Sequence, residues 1–232
     1  MKKNFLTRAI AMAVVLMTAL PMASFAQGHV YMYDRGHNRP TTRQGYYAPG
    51  DTYFGFRLGV NAANVNSEST SLESTSARAG LVAGLVGGVQ CVPNAPVFFE
   101  SGLMYVEKGG KNDYNKDFTY NLNYLEVPMT FKYMIEIPNS PGLSIQPMLG
   151  AYMGIGVGGY TKNYTERAAY NSFGSDPDQF RRFDGGLKIG CGLGLQMFYA
   201  EICYNHGLAN IGHDMFDETH NRGLMFTVGI NF

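Results

Sequence analysis

YLEVPMTFKY, residues 124–133, decides the fold, because its side chains alternate in character with a period of two. Leu125, Val127, Met129, Phe131 and Tyr133 interleave with Tyr124, Glu126, Pro128, Thr130 and Lys132. Successive side chains of a strand point to opposite faces, so this segment reads as a strand with one apolar face and one polar face. Residues 143–158, LSIQPMLGAYMGIGVG, repeat the pattern over sixteen positions, well beyond the usual globular strand of about five or six residues. A tilted strand of about ten residues crossing a bilayer, extended past its surface, accounts for that length.

The same period predicts strands at 52–61, 77–91, 97–108, 183–195, 199–210 and 223–232, making eight with the two above. The gaps between them alternate in length. Those at 62–76, 109–121, 159–182 and 211–222 are long, whereas 92–96, 138–142 and 196–198 are short. Segregation of short turns to one end and long loops to the other is the habit of membrane barrels. The expected fold is therefore all-β: an eight-stranded antiparallel up-and-down transmembrane β-barrel with short periplasmic turns, long extracellular loops and both chain ends on the periplasmic side. A soluble lipocalin-like barrel is the structural alternative.

Residues 1–26 carry the parts of a secretory signal. Lys2, Lys3 and Arg8 form the positive start, an apolar stretch runs from Ala9 to Ala23, and Ser24-Phe25-Ala26 offers a small-residue cleavage site before Gln27. Cleavage removes three of 18 bases and leaves all 18 acids, a net charge of −3 that disfavours nucleic acid as a partner. Residues 27–50 show neither apolar period and read as a flexible periplasmic extension, so the barrel is expected over 51–232. Low charge (16 %), 29 glycines and 13 % aromatics without tryptophan fit a membrane barrel better than a soluble domain.

The face opposite lipid must fill the inside, and alternation assigns Arg57, Glu100, Lys108, Glu126, Lys132, Asp184, Lys188 and Glu201 to it. Four bases and four acids can pair, which buried charge requires. Eight strands enclose a space just wide enough for side chains. A static interior ion-pair network is thus favoured over a polar pathway or open pore. Cys91, Cys191 and Cys203 are an odd set, each inside an expected strand. A two-residue turn near Met197 puts Cys191 and Cys203 on opposite faces, so no disulfide joins them. His206, His213 and His220, near Asp214, Asp217 and Glu218, recur at sevens, but that spacing aligns metal ligands on a helix and not on a strand, so no metal or other cofactor is expected. His206 has no serine near it on its own strand, which leaves an enzyme, such as a hydrolase at the membrane rim, disfavoured.

Gly102-Leu103-Met104-Tyr105-Val106-Glu107-Lys108-Gly109, Tyr124-Leu125-Glu126-Val127-Pro128 and Tyr204-Asn205-His206-Gly207-Leu208-Ala209-Asn210-Ile211 resemble recurring stretches of the PorT-like outer-membrane β-barrel family of Bacteroidota. The resemblance covers about residues 51–232. It implies an eight-stranded barrel in the cell outer membrane and carries no catalytic residues. It also implies, as an alternative to a purely structural or interaction role, an accessory place in a type IX-like protein-secretion system. The expected partners are outer-membrane lipid, the barrel-assembly machinery reading a C-terminal signal at Phe232, and secretion-system proteins.

Overall fold

The computed structural model describes residues 52–66, 75–93, 95–112, 118–163, 168–174, 176, 179–212 and 218–232. The expected signal peptide and extension lie outside them. Eight long strands carry the fold: β1 (Thr52–Asn66), β2 (Thr75–Gln90), β3 (Val97–Asn112), β4 (Phe118–Tyr133), β5 (Leu143–Gly158), β6 (Phe183–Leu195), β7 (Phe198–Gly207) and β8 (His220–Asn231). Each pairs antiparallel with its chain neighbour, and β8 returns to β1 from Gly55↔Asn231 to Asn66↔His220. The sheet is therefore closed. Closure gives the strand backbones partners without water, the condition for lying in hydrocarbon.

Burial follows the period of two. Along β6, Phe183, Leu187, Ile189, Leu193 and Leu195 are exposed while Asp184, Gly186, Lys188, Gly192 and Gly194 are buried. The exposed apolar side chains form an outer belt that includes Phe56, Leu58, Val60, Leu149, Ile155, Ile202, Leu224, Phe226 and Val228. No helix among the described residues is long and apolar enough to cross a membrane; the strands do so.

Four of the eight strands extend past their expected ends by three residues or more at the loop side. β1 runs on to Asn66, β3 to Asn112, and β4 and β8 begin early, at Phe118 and His220. The outward positions there are polar, as at Asn64, Glu107 and Asn123, so alternation fades although the ladder continues. Two outer loops are correspondingly shorter than expected. β2 ends at Gln90, which leaves Cys91 exposed just beyond the strand and not inside it. β7 stops at Gly207, three residues before its expected end.

At the opposite end the connections are tight. Leu195 pairs with Phe198 across Gln196 and Met197, with Gln196 at φ 54°. The Gln196 amide donates to the Gly142 carbonyl (2.7 Å), tying two turns together, and Phe54 and Phe232 exchange backbone hydrogen bonds of 3.1 and 2.7 Å.

The third outer loop differs from its expected form as a chain projecting into water. Tyr160–Asn163 and Ala168–Asn171 form a short hairpin after β5, its first strand paired with the loop end of β4. The chain then turns inward, with Phe173 and Phe180 buried beside Val65, Tyr120, Leu122, Tyr124 and Ile211. Phe173 stacks edge-on against Tyr124 (5.3 Å between centroids) and occupies the space over Gly156, where any side chain would strike its ring. Burial of two aromatic rings outweighs hydration of that stretch of loop. The loop end of the barrel is capped.

Candidate functional site

All eight charged residues assigned to the inner face are buried there, and the strands gather them into two clusters. Toward the short turns, Arg57 of β1 lies 3.1 Å from Glu100 of β3, and Lys132 of β4 bridges Glu100 (2.8 Å) to Glu201 of β7 (3.2 Å). Lys188 of β6 reaches Glu201 at 3.6 Å. Toward the loops, Lys108 of β3 stands between Glu126 of β4 and Asp184 of β6, the latter at 2.9 Å. Every base has an acid within reach and every acid has a base. Buried charge is tolerated on that condition only.

Aromatic hydroxyls complete the network. Tyr53 donates to Glu100 (2.7 Å) and Tyr199 to Glu201 (2.8 Å), and the Lys132 ammonium donates to the Tyr199 oxygen (2.7 Å). The Arg57 guanidinium lies 4.1 Å from the centre of the Tyr199 ring, and Lys108 lies the same distance from that of Tyr152. Asn221 donates to Asp184 (2.9 Å) and to the Tyr124 hydroxyl (3.3 Å). Two rings fit over inward glycines: Tyr53 fills the space a side chain would take at Gly88, and Tyr199 does so at Gly192. The glycines leave room for rings that a narrow barrel could not otherwise hold.

Tyr53 and Tyr199 escaped the sequence reading, although Tyr53 shares parity with Arg57, and Tyr199 with Glu201. Tyrosine is as common in the aromatic girdles of a barrel's exterior as inside it, so only position along the strand could sort them. Nor is the interior wholly polar: Val82, Val86, Met104, Val106, Met148, Cys203 and Met225 pack together inside. Ion pairs and apolar packing together leave the lumen filled.

The remaining candidates do not converge. Cys191 pairs with Ile202 and faces outward, whereas Cys203 pairs with Gly190 and is buried. His206 has Leu187 and Arg222 as its cross-strand neighbours, not a serine. His220 places Nδ1 3.1 Å from the Ala209 carbonyl. His213, Asp214 and Asp217 lie outside the described residues, and among those described no three His, Cys, Asp or Glu side chains gather as metal ligands. Phe232 sits at the turn end, 68 % exposed, edge-on to Phe56 at 6.3 Å.

Solved structures similar to the chain include Ail, the attachment invasion locus protein of Yersinia pestis, at 14 % identity over 79 % of this chain and 99 % of that one, with a TM-score of 0.42. The N-terminal β-barrel domain of Pseudomonas aeruginosa OprF follows at 13 % over 79 % and 99 %, with a TM-score of 0.38. Neisserial surface protein A follows at 14 % over 77 % and 95 %, with a TM-score of 0.39. No curated protein sequence matches. The model of the family described as outer membrane protein beta-barrel domain matches residues 32–212. The chain belongs to that family, and its place is the outer membrane.

Proposed function

We propose that the protein is a non-conducting, non-enzymatic barrel with a structural or interaction role, holding its capped outer end at the cell surface and anchored by its apolar belt in outer-membrane lipid. The filled interior carries this reading. Ion pairs cross the lumen from β1 to β3, from β4 to β7 and from β3 to β6, and Phe173 and Phe180 cover the loop end. An ion entering such a barrel would have to break buried salt bridges and displace packed rings, each step costing several kcal/mol. Purified protein in a planar bilayer is expected to show no steady conductance above the lipid baseline, and regular large openings would refute the reading.

A second role, as an accessory of a type IX-like secretion system, is favoured by the three PorT-like stretches. Residues 102–109, 124–128 and 204–211 carry Lys108, Tyr124, Glu126 and His206 on β3, β4 and β7. Membership of that Bacteroidota subgroup belongs to this second reading. Crosslinking in native membranes separates the two: recovery of secretion-complex subunits supports the accessory role, and recovery of lipid and assembly factors alone supports the first. The exposed Phe232 at the turn end is suited to recognition by barrel-assembly machinery during insertion, after cleavage of residues 1–26.

A further inference from the structure

Among the described residues, the outward face of β7, β8 and β1 carries near its loop end a row of donors, with no acid in the row itself. Apolar outward positions climb these strands to Tyr204, Leu224 and Ala62, which the register sets side by side. The next outward positions are His206, Arg222 and Asn64, again side by side. A step of two residues along a tilted strand rises about 5 Å. That lifts the row from the edge of the hydrocarbon into the headgroup layer of the outward leaflet.

Among the described residues, no carboxylate pairs with Arg222, and its buried Nε has no hydrogen-bond partner. The outward acid on β3, Glu107, is already matched by Arg78 at 3.7 Å. The His206 ring lies 6.3 Å from that of Tyr204. Two basic groups directly opposite each other on paired strands repel when both are charged. An anion between them reverses the sign, and a guanidinium fork suits the oxygens of a phosphate.

We infer that Arg222 and His206, with Asn64 beside them, form a site for a phosphate group of a phosphorylated glycolipid in the outer leaflet. The site deepens the interaction role proposed above and rests on it. A lipid source is favoured over free phosphate by place: the row stands directly on Leu224 and Tyr204, so acyl chains packed on the belt bring the headgroup to the bases. Tyr204, with an apolar ring and a polar tip, is suited to that boundary.

The test uses the full chain folded in neutral detergent micelles, titrated with lipid A carrying two phosphates, with lipid A stripped of both, and with sodium phosphate. Thermal midpoints are read from the heat-modifiable gel shift of the folded barrel. The two-phosphate lipid is expected to raise the midpoint and the stripped lipid to leave it unchanged. The Arg222→Gln/His206→Gln variant should need about tenfold more lipid for the same rise. If that variant does not fold, Arg222→Lys replaces it, keeping the charge without the fork, with about threefold weakening expected. Equal titration of wild type and the variant used, equal response to the stripped lipid, or a matching response to sodium phosphate at the same concentration would each overturn the site. Channel activity in the bilayer assay would leave this titration untouched, so the two readings can fail separately.

Discussion

The two interior clusters are built from the same chemistry but differ in redundancy. Toward the turns, Arg57, Lys132 and Lys188 serve Glu100 and Glu201, so each acid keeps a base if Lys132 is removed. Toward the loops, Lys108 alone serves both Glu126 and Asp184. Neither cluster balances by itself; the surplus base of one is matched by the surplus acid of the other. A single substitution should therefore cost much more at the loop end, where no second base stands by.

Lys108→Met strikes the weakest point of that contrast. It strands two buried carboxylates beside each other, and stability in lipid vesicles should fall by about 3–5 kcal/mol, read from urea midpoints of the folded band. Lys132→Met tests the redundancy directly. Arg57 and Lys188 remain on the two glutamates, and the expected loss is about 1–3 kcal/mol. A loss equal to that of Lys108→Met would break the comparison. Tyr199→Phe gives the smallest effect, about 1 kcal/mol, because it removes one hydroxyl from a network whose charges stay paired, while the ring remains over Gly192. Vesicle unfolding of the three variants in parallel would rank them.

Much of this was legible in the order of residues. Along β4 and β5 the alternation separates Leu125, Phe131, Leu149 and Ile155 from Glu126, Lys132, Gln146 and Tyr152, because a closed sheet between lipid and a filled lumen imposes one environment per face. The strand ends were not legible, since Asn64, Glu107 and Asn123 are polar on the outward face beyond the apolar belt and hide the period while the ladder continues. Nor was the cap. Phe173 and Phe180 belong to an aperiodic stretch, and their burial depends on Gly156 and Tyr124 brought close by closure. The pairing of Lys108 with Asp184, 76 positions apart, follows from register across the barrel, which a count of bases and acids cannot supply.

The native cysteines provide the most direct test of the central claim, that the exposed apolar face lies in lipid and the interior is closed. Cys91 stands exposed just past β2, Cys191 lies on the outer face between Ile189 and Leu193, and Cys203 is buried inside. In membrane fragments open on both sides, a water-soluble maleimide should label Cys91 alone, and Cys191 should react only after detergent or denaturant replaces the lipid. Labelling of Cys191 in intact fragments at the rate of Cys91 would place that face in water, and rapid labelling of Cys203 would mean an open lumen; either result would contradict the account.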